Sequence, residues 1–207
     1  MRFSRKGIAG SNPVSSAPFQ TVYNNPMLTV IGGPMFSGKT TWLLEKEKVL
    51  PNGSYELFKP NIDTRYAVHE FVNHDGERIP ARNLSTTSPH FPQFSPEIKT
   101  ILIDELNFFD ETIILPVIKG QLKAGRNVFA AGLLYDFAQK PFGATLPLSK
   151  KADKFIELFA ICDRCGKKAS ESYRKVASQQ QFLLGSSDIY GACCKRCWHI
   201  LTSTPQK

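Results

Sequence analysis

The sequence predicts an α/β fold: a mostly parallel sheet flanked by helices, with a small cysteine-bearing lobe appended. Three observations carry this. Short apolar runs alternate with amphipathic segments through the middle of the chain, and a glycine-rich loop separates the first apolar run from a helix-like stretch. All five cysteines (Cys162, Cys165, Cys193, Cys194 and Cys197) fall in the last quarter. At 207 residues, with 42% hydrophobic and 21% charged residues, the chain can bury one proper core and a small appendage. No apolar run approaches the ~20 residues that cross a bilayer, so no membrane partner is expected. With no signal peptide in view, a cytoplasmic location is expected.

Taken in order, residues 1–26 contain no Asp or Glu and are rich in Ser, Asn, Pro and Gly, which reads as a disordered extension. A basic, acid-free start also resembles an organelle transit peptide, but no convincing amphipathic helix accompanies it. A third reading starts translation at Met27, where globular sequence begins abruptly. Nothing catalytic is expected before that point. Met27–Ile31 reads as a strand, followed by the glycine loop and a helix from about Thr40 to Val49. Tyr55–Lys59 reads as a second strand. Residues 60–96, with turn signals in HDGER and TTSPHFP, read mostly as loop or hairpin. A loop of that length beside a phosphate site is usually functional. TILIDEL, residues 100–106, has the pattern of a buried strand ending in two carboxylates. Residues 110–124 make a plausible helix and NVFAAGL a further strand, and after Phe142 the alternation gives way to a β-like run near Phe155 that leads into the cysteines.

The loop Gly33, Pro34, Met35, Phe36, Ser37, Gly38, Lys39, Thr40 satisfies G-x-x-x-x-G-K-[ST] in full. Its glycines allow the tight path that turns backbone N–H groups toward an anion, and the helix behind adds its positive end. Lys39 is then expected to bridge β- and γ-phosphates and the Thr40 hydroxyl to ligate Mg²⁺. The expected fold is therefore P-loop NTPase-like, with ATP as ligand. Open α/β sheets bind at the carboxyl ends of their strands, where Asp104 and Glu105 also fall. Asp104 is expected to hold the Mg²⁺ opposite Thr40. Glu105 either orients a water, as in an ATPase, or takes the proton of a substrate hydroxyl, as in a kinase. Spacing alone leaves both open. In KPNIDTRY, Arg65 could steady phosphate charge and Asp63 could support the metal or the arginine; a surface ion pair is the bland alternative.

Cys162-x-x-Cys165 and Cys194-x-x-Cys197 are two CxxC knuckles, and four thiolates make a closed tetrahedral Zn²⁺ site. Cys193 offers a wrong-register alternative to Cys194, and CxxC geometry favours Cys194. The net charge of +8 and the basic residues beside the knuckles (Arg164, Lys167, Lys168, Lys195, Arg196) admit a nucleic-acid-gripping ribbon. Solvated charge around a metal lobe is commoner, so a nucleic-acid partner is not expected. A nucleic-acid-dependent ATPase is the runner-up function, and 207 residues leave it no second motor domain.

GPMFSGKTT, KPNIDTRY, NHDGERI, IDELNFFD, DFAQKPF and the paired CxxC motifs occur in the order seen in the thymidine kinases of the cellular type-II family, which the chain resembles from about Met27 to Trp198. The resemblance implies transfer of the ATP γ-phosphate to the 5′-hydroxyl of thymidine, with Glu105 at the catalytic-base position. It also implies that Asn107 lies among the phosphate-side residues and that Met35, Phe108, Leu133, Phe137 and Phe142 surround the thymine. Asp136–Ser149 corresponds to a lasso loop that closes over the nucleoside. Gln181, Phe182, Leu183, Leu184 and Gly185 match a segment that reads the base through main-chain groups, with Tyr190 near sugar and base and Ser172 close to the base. Family precedent adds a homotetramer and feedback inhibition by dTTP. The chain departs from the pattern at Leu134, where many relatives carry an acid, and at Leu106-Asn107, where Gly or Ala and then Gln is more usual. The expected division is a disordered 1–26, a nucleotide-binding domain 27–155 with the lasso at 136–149, a zinc lobe 156–200 and a flexible 201–207.

Overall fold

The computed structural model describes residues 25–61, 70–72, 78–178, 180–183 and 187–203. Strand β1 (Leu28–Gly32) runs through the glycine loop into helix α1 (Lys39–Lys48). Strand β2 (Tyr55–Pro60) is followed by a hairpin of β3 (Glu70–Val72) and β4 (Arg78–Pro80), and then by β5 (Arg82–Leu84). Strand β6 (Thr100–Ile103) ends in a 3₁₀ turn, Leu106–Phe108, that leads to α2 (Glu111–Lys123). Strand β7 (Asn127–Gly132), α3 (Thr145–Ser149) and β8 (Lys154–Glu157) complete the main body. The appended lobe holds β9 (Ala160–Ile161), β10 (Lys168–Ala169), β11 (Glu171–Arg174), β12 (Tyr190–Cys193) and α4 (Lys195–Ser203).

Six strands form one sheet in the order β5–β2–β6–β7–β1–β8, and every neighbouring pair is parallel. A parallel sheet is covered on both faces, which is why β1, β6 and β7 read as unbroken apolar runs. Alternate residues serve opposite faces. Leu28, Val30, Ile101, Ile103, Val128 and Ala130 pack with Ile114 and Ile118 of α2 and Leu148 of α3. Ile31, Leu102, Phe129 and Ala131 pack with Leu43 and Leu44 of α1. Asp110 starts α2 by accepting from the Thr112 N–H at 2.7 Å.

Four differences from the sequence expectation have physical causes. Residues 82–84 lie in the stretch expected as loop, yet β5 pairs with β2 and forms one sheet edge, with Leu84 in the core. Three residues are too few to show a strand period. Strand β8 pairs with β1 as far as Glu157, and Leu158 N–H donates to Gly32 O, so the sheet continues past the division expected at residue 155. The second half of the segment expected as lasso, residues 145–149, is helix α3, held because Thr145 and Leu148 are fully buried. The loop proper is shorter and ends before Thr145. Helix α4 extends to Ser203, into the segment expected to be flexible, because Leu201 packs against the lobe's core.

Candidate active site

Two glycines shape the loop after β1 for different reasons. A Cβ on Gly33 would meet Leu158 O and Ser37 Oγ, each at 2.6 Å, whereas Gly38 has open space around it but adopts φ 79°. The first permits close approach and the second a left-handed turn. Gly38 O accepts from Trp42 N–H at 2.8 Å, which starts α1 with its free N–H groups facing the loop. Lys39 Nζ donates to Pro34 O at 2.6 Å and Ser37 Oγ donates to the same carbonyl at 2.9 Å.

β6 delivers its two carboxylates to the same place. Thr40 Oγ1 donates to Asp104 Oδ2 at 3.0 Å, so the loop's hydroxyl and the strand's carboxylate lie side by side. Asp104 is 4% exposed; burial and then the charge of Glu105 push its carboxyl up to about 7, against the pull of Thr40 and Lys39. Burial lowers the Lys39 ammonium, while the charges of Glu105 and Asp104 oppose that. A buried acid beside a hydroxyl, with one cation shared between two carboxylates, suits a divalent metal, whose charge would keep Asp104 ionised. Thr40 and Asp104 are the residues that could hold Mg²⁺. Glu105 adopts φ 52°, a strained conformation for a side-chain-bearing residue, and turns the chain from β6 into the 3₁₀ turn.

An aromatic group adjoins these carboxylates. The Phe108 ring stands edge-on to Phe142 at 5.5 Å and to Phe182 at 5.2 Å. The loop between β7 and α3 is tied down by Asp136, whose Oδ1 accepts from the N–H groups of Ala138 (2.9 Å) and Lys140 (3.0 Å). Across it, Phe142 N–H donates to Leu134 O at 3.2 Å. Gln181 Nε2 reaches Asp136 Oδ2 at 3.3 Å, and Leu183 N–H donates to Tyr190 Oη at 2.8 Å. The loop and the 180–183 segment therefore face each other.

In the lobe, Cys162, Cys165, Cys194 and Cys197 bring their sulfurs within 4.8 Å of one another. Cys165 Sγ lies 3.7 Å from Cys194 Sγ, close to the ~3.8 Å that tetrahedral Zn–S bonds impose. Burial works to raise the Cys162 thiol, but backbone N–H groups of Cys194, Cys165 and Arg164 bring it down to about 6, toward the thiolate a metal needs. The set fits Zn²⁺. Cys193 is fully buried among apolar neighbours and outside the cluster, which settles the register in favour of Cys194.

A family model described as thymidine kinase matches residues 26–198. The chain belongs to the thymidine kinase family. A thymidine kinase of Porphyromonas gingivalis is 36% identical over 181 residues, covering 86% of this chain and 88% of that protein. One from Bacteroides thetaiotaomicron is 38% identical over 173 residues, covering 83% and 86%. One from Mesomycoplasma hyopneumoniae is 35% identical over 174 residues, covering 83% and 94%. As a member of this family the chain is a kinase.

Within this kinase, Thr40 lies against Asp104, Lys39 is close enough to feel the charges of Glu105 and Asp104, and Phe108 contacts Phe142 and Phe182. Arg65, Asp63, Leu184 and Gly185 lie outside the described residues. Two of the expected site residues bond to the protein's own backbone. Asn107 is 1% exposed and its Oδ1 accepts from Leu133 N–H at 2.9 Å, so this side of the amide braces the end of β7, while Nδ2 is buried without a hydrogen-bond partner among the described residues. Ser172 Oγ accepts from Met35 N–H at 2.9 Å, linking β11 to the phosphate loop itself. Two residues escaped sequence reasoning. Arg174 is buried on the inward face of β11, alternating with Ser172, and Trp198 Nε1 donates to Phe137 O at 3.1 Å. An arginine at an inward position of a short strand was the available signal for the first. Among the described residues, no helix is long and apolar enough to cross a membrane.

Proposed function

We propose that the protein transfers the γ-phosphate of ATP to the 5′-hydroxyl of thymidine, giving thymidylate and ADP. What supports this is the contact of Thr40 with Asp104, the closeness of Lys39 to the charges of Glu105 and Asp104, and the Phe108–Phe142–Phe182 group built on the turn that follows them. The N–H groups of the 33–40 loop and the N-terminus of α1 bind the β- and γ-phosphates. Lys39 exchanges its contact with Pro34 O for phosphate oxygens, and Thr40 with Asp104 holds Mg²⁺. When bound, Mg²⁺ neutralises charge on the phosphoryl oxygens. Glu105, fixed by its left-handed backbone at the strand end, accepts the proton of the 5′-hydroxyl as that oxygen approaches phosphorus.

The base lies among the aromatic rings and Leu133, with Met35, Phe137 and Tyr190 around it. Main-chain groups of 181–185 read its polar edge, and the 133–144 loop excludes water that would compete for the phosphoryl group. Zn²⁺ on the four cysteines keeps the lobe folded and has no part in the transfer. Arg65 is assigned to the phosphate side. A cytoplasmic homotetramer inhibited by dTTP follows family precedent.

ADP release with no acceptor, with thymidine and with single-stranded DNA tests the reading. Thymidine-dependent ADP matched by thymidylate is the expected result. DNA-dependent ADP without thymidylate would instead support an ATPase with a nucleic-acid-binding lobe.

A further inference from the structure

Arg174 is 5% exposed, and among the described residues no carboxylate pairs with it. Its charge is held by carbonyls and ring faces. Nη1 donates to Ser178 O at 3.1 Å and Gln180 O at 2.7 Å, and Nη2 to Gln181 O at 2.9 Å and Tyr190 Oη at 3.2 Å. The guanidinium carbon lies 3.7 Å from the centre of the Phe137 ring and 5.5 Å from that of Tyr190. Burying a cation is costly unless its donors find acceptors. Nη1 and Nη2 find four, while Nε is buried without one among the described residues, so the side chain's fixed place rests on the four Nη bonds and the ring faces. Those contacts join the carbonyls of Ser178, Gln180 and Gln181 and the ring of Tyr190 of β12 to Phe137 of the 133–144 loop, which lies far earlier in the sequence.

Two further bonds close the circuit. Tyr190 Oη, which accepts from Arg174, also accepts from Leu183 N–H, and the Phe137 carbonyl is held by the Trp198 indole of α4. Gln181, whose carbonyl Arg174 grips, also reaches Asp136 through its side chain. β11 in turn carries Ser172, which is bonded to Met35 of the phosphate loop.

We propose that Arg174 is a positioning residue for nucleoside recognition, locking Ser178, residues 180–183 and the Phe137 loop into one wall of the base pocket at a fixed distance from the phosphate loop. It acts through Tyr190, Phe137 and the main chain of 180–183 and does not itself touch substrate. The proposal rests on the reading of this pocket as a thymidine site. Only the planar fork of arginine makes these four bonds while stacking on Phe137; lysine keeps the charge and loses the geometry.

The test compares Arg174→Met, Arg174→Lys and Trp198→Phe with wild type in the zinc-loaded full chain. Steady-state kinetics are expected to show KM for thymidine raised about tenfold in both Arg174 variants, with KM for ATP within about twofold. Trp198→Phe, which removes a single donor to Phe137 O, is expected to raise it less. Amide exchange without nucleoside is expected to accelerate at Ala138, Lys140 and Leu183, while strands β1 and β7 and the zinc content stay as in wild type. Equal rises in both KM values, or full rescue by lysine, would overturn the proposal. So would unchanged exchange at those amides. Should Arg174→Met fail to fold, Arg174→Lys and Trp198→Phe give the same readouts. A wild-type enzyme that fails to phosphorylate thymidine would sink the functional reading, whereas the exchange experiment judges the lock separately.

Discussion

Replacing Gly143 by alanine drives a methyl group into the backbone of the 3₁₀ turn that follows Glu105. Gly143 adopts φ +56°, and a Cβ built there lies 1.9 Å from Asn107 O, 2.6 Å from Asn107 C and 2.9 Å from Phe109 O. An ordinary carbon–oxygen contact is ~3.3 Å, so the loop and the 3₁₀ turn must separate by about 1.4 Å. The left-handed backbone costs about 1 kcal/mol for alanine, and overpacking a rigid surround about 1–3 kcal/mol. Together these predict a loss of about 3 kcal/mol and a fall in melting temperature of about 6–12 °C for a chain of this size. Gly125→Ala is the matched control: its φ is +82°, yet nothing lies within 4 Å of its added Cβ. It should lose only the conformational part, about 2–4 °C. Because the clash displaces Phe108 relative to Phe142, Gly143→Ala should also raise KM for thymidine, and Gly125→Ala should not. Scanning calorimetry with steady-state kinetics decides the matter. Equal melting temperatures for the two variants would refute the argument that close backbone approach, beyond φ alone, requires glycine there.

Glu105→Gln should lower turnover with thymidine by ~10²-fold or more while ATP still binds, measured by single-turnover phosphoryl transfer and nucleotide titration; near-normal turnover would remove it as the base. Asp104→Asn tests the buried acid by its pH dependence. As pH rises from about 4 to about 7, the unfolded chain releases the Asp104 proton and the ligand-free fold retains it, so this residue increasingly opposes folding over that window. The variant should therefore melt above wild type at pH 8 without ligand, with the gap narrowing toward pH 4; a gap independent of pH would count against it. Cys162→Ser should release zinc and lower the melting temperature of the lobe, and unchanged metal content by elemental analysis would contradict the cluster.

Much of the fold was legible because its central strands are covered on both faces: β1, β6 and β7 have no polar alternation to confuse them with loops. The glycine loop was legible because its chemistry demands fixed residue types at fixed spacing. The edges were not. β5 and β8 take their strand character from pairing with β2 and β1, a long-range fact that no local pattern of three or four residues records. Around the site, residue types marked Asp104 and Glu105 but gave no sign of the left-handed turn at Glu105, where glycine would have been the sequence signal. Nor did residue type reveal that the Asn107 amide oxygen braces the end of β7 through Leu133 N–H. Arg174 was overlooked because its partners are backbone carbonyls, which leave no trace in side-chain spacing.

The lobe's cysteines impose an order on how this enzyme comes into being. Strands β1, β2, β6, β7 and β8 are all synthesised by Glu157, so the phosphate-binding sheet is able to assemble while the ribosome still holds the rest. The tetrathiolate cluster requires Cys194 and Cys197. Tyr190, which Arg174 and Leu183 grasp, lies on the strand leading to them. The chain therefore emerges with its phosphate loop and main sheet first, and with Tyr190 and the last two cysteines of the cluster after them.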